Sequence, residues 1–275
     1  MNAVISSVCA GFFSLSVAGQ SQVIPYGTDF LTAGLGNPVF CKPVSVFMAP
    51  GLLGDSLLKG ISIATDRFAG LPVTGKVEAV SSFSMKGHSG LGVRLAMLGK
   101  DVFRLNQFGL AYGKLLRKGS DGQSRWLMGL VFQAQQEKTG WVKSPLQWVS
   151  GLSVVRSNQH SSYSILLLRS SYKKSGWQWS VNARRFWSRQ LVSELSVTYL
   201  NNSIQLPAFS IQYHISDKAY ILGQWQQLPS AIYWEQGYRL STFWLSVFVR
   251  RYPGIGWKSG LGLVWHSAKR NGRHE

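Results

Sequence analysis

Cysteine is nearly absent, at two residues in 275. Cys9 lies in an apolar N-terminal stretch, so loss of that stretch leaves Cys41 alone, without a disulfide partner or the companions a metal site needs. Acid is also scarce, with 11 Asp and Glu against 29 Lys and Arg. Glu78, Glu194 and Glu235 have no partner at a spacing that suggests acid/base work or metal ligation. Charge of either sign makes up only 15% of the chain, where a soluble domain carries about 25%. No uninterrupted apolar run reaches the ~18 residues of a membrane-spanning helix. These shortages speak against a disulfide scaffold, a metal centre and a helical membrane protein, and no cofactor is implied.

What the chain does have is aromatic residues, 13% of the total with eleven Trp, and a two-residue rhythm. From Ala208 to Ser216, Phe209, Ile211, Tyr213 and Ile215 fall on one face, and Ser210, Gln212, His214 and Ser216 on the other. A period of two is an extended strand with one apolar and one polar surface. The pattern recurs from about residue 57 to 266, as in Trp177, Trp179, Val181 and Ala183 against Gln178, Ser180, Asn182 and Arg184. Such alternation averages to a mean hydropathy of +0.01. Strand candidates are Gly60–Phe68, Lys76–Met85, Leu91–Leu98, Phe108–Tyr112, Trp126–Phe132, Trp148–Val155, Tyr163–Arg169, Trp177–Arg184, Leu195–Tyr199, Ala208–Ser216, Ala219–Trp225, Ile232–Leu240, Phe243–Arg250 and Trp257–Trp265. Turn chemistry separates them, beginning with Gly70-Leu71-Pro72 and Lys86-Gly87-His88-Ser89-Gly90.

Turns every ~12 to 20 residues leave room for the 9 to 11 residues that cross a tilted barrel wall. A soluble β-sandwich fits several of these strands as well. Trp141, Trp148, Trp177, Trp187, Trp257 and Trp265 decide between them, because they sit near strand ends, where aromatic girdles mark the two membrane interfaces. The expected fold is an all-β, antiparallel, up-and-down transmembrane barrel of about 14 strands, with 12 as the alternative, since closure favours an even number.

The organisation reads as follows. Residues 1–19 form an export signal, with Val4 to Val17 apolar and Ser16-Val17-Ala18 a small-x-small cleavage site. No Lys or Arg precedes the stretch, which points to an incomplete n-region or an upstream start, and Ser6-Ser7-Val8 is no lipobox for Cys9. Residues 20–56 are a lead-in and a Pro- and Gly-rich segment, 57–268 the barrel, and 269–275 a basic tail. Prolines between Gly34 and Leu53 oppose a central strand or long helix there.

The net charge of +18 invites a nucleic-acid reading. The doublets Lys173-Lys174, Arg184-Arg185 and Arg250-Arg251 sit in no recognised nucleic-acid module, so anionic lipid headgroups, including lipopolysaccharide, are the expected partners, with other envelope proteins an open possibility. Catalytic motifs are weak. Gly87-His88-Ser89-Gly90 has Leu91 where a nucleophile elbow needs Gly. His214-Ile215-Ser216 resembles the His-x-Ser pair of outer-membrane lipid deacylases, but on the polar face it points into the lumen, away from acyl chains. The chain is therefore expected not to be an enzyme. A lumen lined by Arg94, Gln178, Asn182, Arg184, Glu194, Gln212 and His214 suggests anionic or amphipathic solutes, or else side chains that simply fill the barrel.

One stretch has a family likeness. Gly34, Leu35, Gly36 and Asn37, followed by Pro43-Val44-Ser45-Val46-Phe47-Met48-Ala49-Pro50-Gly51-Leu52, resembles the opening phrase of long-chain fatty-acid transporter barrels and the related type IX secretion barrels of Bacteroidota. Ala49 replaces the usual Asn, and Asn37 the second Gly. Gly109-Leu110-Ala111-Tyr112-Gly113 is also similar to barrels of that phylum. The resemblance implies a hatch at Gly34, Leu35, Gly36, Asn37, Pro43, Phe47, Pro50, Gly51 and Leu52, and a place in the outer membrane. It also implies transport or holding of a small amphipathic ligand, or a non-transporting role in a secretion or surface-assembly complex.

Overall fold

The computed structural model describes residues 47, 49–54, 60–69, 71–100, 103–120, 123–140, 142–158, 160–171, 177–188, 190–200, 203–226, 231–252 and 256–266. The expected signal, the lead-in and the tail lie outside these, as do Gly34, Leu35, Gly36, Asn37, Pro43 and Trp141.

A 3-10 helix, Pro50–Gly54, precedes the strands β1 (Gly60–Phe68), β2 (Leu71–Met85), β3 (Ser89–Lys100), β4 (Phe103–Lys118), β5 (Arg125–Thr139), β6 (Val142–Lys143), β7 (Gln147–Ser157), β8 (Ser161–Ser170), β9 (Trp177–Phe186), β10 (Leu191–Leu200), β11 (Ser203–Ser216), β12 (Ala219–Gln226), β13 (Ala231–Leu240), β14 (Phe243–Tyr252) and β15 (Gly256–His266). The two-residue β6 only extends the ladder of β5. The other fourteen pair antiparallel in chain order, and β1 pairs with β15, Ile61 opposite Trp265 and Phe68 opposite Lys258. The sheet therefore closes into a fourteen-stranded barrel with no free edge, which sets aside the twelve-strand alternative. Closure satisfies every ladder within the wall, the condition a bilayer imposes on strands.

Fourteen strands follow from the alternation, but two predicted details shift. Leu71 and Pro72 belong to β2, not to the preceding turn. Phe68 pairs with Leu71 and Asp66 with Lys76, so Pro72 to Gly75 bulge out of both ladders and Pro72 deprives no partner of a donor. Pro207 in β11 sits at a second register shift, where Ser196 faces Ala208 and Thr198 faces Gln205. Ser89 and Gly90 likewise open β3, leaving Lys86 to His88 as the turn. Gly87 (φ 75) and His88 (φ 53) carry the left-handed backbone that a tight hairpin needs, and the Ser89 hydroxyl donates to the Lys86 carbonyl at 2.9 Å. That geometry is a turn and no nucleophile elbow.

Burial alternates along the strands and fixes which face is which. In β8 every second residue from Ser162 to Leu168 is buried, while Tyr163, Ile165 and Leu167 are exposed. Around the barrel the exposed set is apolar: Leu130 (52%), Ile165 (55%), Ile211 (44%) and Leu261 (52%) among many. From Trp126 to Ala134 the outer side of β5 runs ~27 Å at ~3.4 Å per residue, or ~20 Å of height once tilted ~40°. The outward positions are apolar, and the buried polar and charged groups lie inside beside apolar packing, the reverse of a soluble barrel. This is a membrane-embedded barrel.

Candidate functional site in the barrel interior

Two structures occupy the inner wall. The first is built on glycine. Gly90 of β3 pairs with Gly113 of β4, Gly113 with Gly129 of β5, and Gly129 with Ser153 of β7, so three glycines and a serine form one row across four strands. All four are buried, and the 3-10 helix backbone lies directly over them. A Cβ at Gly113 would overlap the Pro50 carbonyl, one at Gly129 the Gly51 nitrogen, and one at Gly90 the Leu53 carbonyl. Ser153 completes the berth by accepting a hydrogen bond from the Gly51 N–H at 3.0 Å. Gly54 presses on the Lys114–Leu115 backbone, and Phe47 covers Gly109, where a Cβ would sit 2.8 Å from its ring. Phe47, Ala49, Leu52 and Leu53 are buried with Leu127, Val131, Val155 and Leu166 of the wall. Each large apolar side chain so buried contributes about 1.5–3 kcal/mol. Of the hatch residues named from sequence, Phe47, Pro50, Gly51 and Leu52 are described, and all four are buried at this berth.

The second structure is a set of polar pairs. Arg94, Gln178, Asn182, Arg184, Glu194, Gln212 and His214 all lie on the buried face, Arg94 at 1% exposure. Register brings some together. Arg184 stands directly opposite Glu194 and they form a buried ion pair. The Asn182 amide donates to Ser164 at 3.1 Å, and Gln212 meets the His214 ring at 2.9 Å. Arg94 reaches diagonally to Glu78 at 2.6 Å, with Lys76 on the same carboxylate at 2.9 Å and Phe47 beneath the guanidinium. His214 and Ser216 do not form a dyad, since Ser216 is exposed and its hydroxyl accepts from the Lys218 N–H at 3.2 Å.

Several interior residues escape sequence reasoning. Glu235, fully buried, accepts from the hydroxyls of Tyr220 (2.6 Å) and Tyr233, and Arg250 lies over the Tyr233 ring at 5.8 Å. Gly237, opposite Tyr220, gives that ring room to lie along β13 and reach Glu235. Lys258 pairs with Asp66 at 3.1 Å. Gln107, Gln135 and Gln147 form a straight cross-strand ladder at 3.3 and 2.8 Å. The missed signal was parity. In β13, Glu235 and Gln236 put a polar group on each face, so alternation alone cannot say which looks inward.

The charge inside is close to balanced. Among the described residues the buried charged groups are Lys76, Arg94, Arg184, Arg250 and Lys258 against Asp66, Glu78, Glu194 and Glu235. No three His, Cys, Asp or Glu side chains gather into a metal-binding group among the described residues. The excess positive charge is on the rims, with Lys86, Lys114, Arg117, Arg156, Arg185, Lys218 and Arg239 exposed at the end where β1 starts, here called proximal, and Arg67, Arg104, Lys143, Arg169 and Arg251 at the distal end.

No protein-family model matches the chain, and no curated protein does. Solved structures do. The outer membrane protein Omp33 of Acinetobacter baumannii superposes with a TM-score of 0.51 at 7% identity, over 76% of this chain and 98% of that one. A KdgM porin, also solved in complex with disordered oligogalacturonate, covers the same share at 10% identity with a TM-score of 0.46. A Rh. blastica porin variant gives 0.39 at 8% identity. At such identities the likeness is one of fold: the chain folds as outer-membrane β-barrels do.

Proposed function

We propose that this barrel sits in the outer membrane of a Gram-negative bacterium and holds or passes a small amphipathic ligand through an occluded lumen. The observation that carries this reading is the combination of a lipid-facing exterior with an interior whose wall carries a docked apolar segment beside paired charges. Fourteen strands enclose more space than the eight that side chains alone fill, and less than the sixteen or more of open channels. An open aqueous pore would wet residues such as Arg94 and Glu235, which are buried. Near-neutral charge gives little reason for anion selection. Apolar side chains at the berth and paired polar groups elsewhere suit a ligand with one greasy part and one polar part. The likeness of Phe47, Pro50, Gly51 and Leu52 to the fatty-acid transporter phrase supports the same reading.

The test is uptake of a fluorescent amphiphile into vesicles carrying the full chain, with ion conductance recorded in parallel. Facilitated uptake with little steady conductance is the expected result. No uptake and no conductance would instead favour a non-transporting subunit of an envelope complex, a reading that the short turns at both ends also support.

A further inference from the structure

Among the described residues four arginines lie over tryptophan rings on the outside of the barrel: Arg156 over Trp126 at 5.5 Å, Arg185 over Trp187 at 4.3 Å, Arg169 over Trp177 at 5.5 Å and Arg251 over Trp257 at 5.5 Å. One of them belongs to a larger arrangement. At the proximal rim Arg117 of β4 is directly opposite Trp126 of β5, Trp126 is opposite Arg156 of β7, and Arg156 is opposite Tyr163 of β8. The row runs cation, indole, cation, phenol at one height across four adjacent strands, and all four residues are exposed. A register shift between Leu115 and Arg117 brings Arg117 to this level, since without it Leu116 would face Trp126.

We propose that this row binds the phosphate of an anionic lipid headgroup, an inference that rests on the membrane reading above. Strands ~4.8 Å apart put the Arg117 and Arg156 backbones about 10 Å from each other across the indole, a gap that two long side chains close around one phosphate. A guanidinium lying on an indole keeps its in-plane N–H edges available, and that fork matches phosphate oxygens. Lys114 adds a third cation one row further into the wall, opposite Met128. Among the described residues of these four strands the acid is Glu137, at the distal end of β5, and in sequence one more, Asp121, falls between β4 and β5. The positive charge of the row therefore exceeds what its neighbours neutralise. Below Trp126 the outer side of β5 continues through Met128, Leu130 and Phe132, exposed and apolar, where the acyl chains of the same lipid would lie. Headgroup and chains meet at one level, as a single lipid requires.

The test uses the full chain folded in a neutral detergent, titrated with phosphatidylglycerol and with phosphatidylcholine, bound lipid being read by native mass spectrometry. The expected result is a preference for phosphatidylglycerol that falls about fivefold for each guanidinium removed, and about 25-fold in R117Q/R156Q. The K143Q/K218Q variant, which loses two exposed charges that lie on no ring among the described residues, should keep the preference. Equal loss in both double variants means diffuse attraction and overturns the site, as does an absence of preference in the unaltered protein. Heat-modifiable gel migration separates the two levels of inference. If the folded barrel form is present and no preference appears, only the lipid site fails; if that form never appears in detergent, the membrane reading fails with it.

Discussion

At the residue scale the interior is held by pairs that the chain alone does not announce. Glu194 and Arg184 are ten residues apart and become opposite only because the β9–β10 hairpin sets that register. Both are buried, so removing one takes from the other the counter-charge directly opposite it. Glu194→Ala is expected to destabilise the folded barrel by about 3–5 kcal/mol, whereas the paired Arg184→Met/Glu194→Leu replacement should recover most of that loss. Urea unfolding in micelles measures both, and a double variant no better than the single would show that the ion pair is not what matters there. Sidedness was legible wherever polarity alternated cleanly, as at Gln212 and His214. It was ambiguous at Glu235, whose neighbour Gln236 is polar on the opposite face. The Tyr220–Glu235–Tyr233 group therefore emerges only in three dimensions.

At the element scale the 3-10 helix and its glycine row are the most specific feature of the wall. The segment 34–53 reads in sequence as irregular or short helical chain, and Pro50–Gly54 is such an element. Its berth was not foreseeable, because Gly90, Gly113 and Gly129 lie in three strands and align only through two registers. Backbone atoms fill the space where side chains would be, so bulk there cannot be relieved by a rotamer change. Gly113→Val should push the helix off the wall and cost about 1–3 kcal/mol from overpacking, more where the helix is lost. The comparison is Gly223→Ala on β12, where the nearest atoms are 3.9 and 4.0 Å from the added carbon and little change is expected. Ser153→Ala strips the Gly51 N–H of its acceptor and should cost about 1–3 kcal/mol. Thermal loss of the heat-modifiable form ranks all three. An order in which Gly223→Ala is the most damaging would mean that the berth is not what holds the segment. The prolines show the same dependence on register: Pro72 and Pro207 look disruptive in a list of strands and harmless once the bulges that hold them are known.

At the scale of the whole molecule, strand number and sidedness were readable from the chain, since both follow from a period of two and evenly spaced turns. Closure was inferred from what a membrane demands and is realised by the β1–β15 ladder. Deleting residues 256–266 removes that seam and exposes two edges, so no heat-modifiable species should form; a compact, faster-migrating band from that truncation would contradict a closed barrel. The charge distribution was not readable. A net +18 suggests a basic interior as easily as basic rims, and only the fold separates the paired charges within from the excess outside.

The most direct measurement of the inside-out arrangement is the collision rate of spin labels along β11 in a bilayer, with Cys9 and Cys41 first replaced by serine. Labels at Ile211 and Tyr213 should collide freely with oxygen dissolved in the acyl chains, while labels at Ser210 and Gln212 should be shielded from it. Equal access at all four positions, or the opposite alternation, would contradict the barrel's orientation toward lipid.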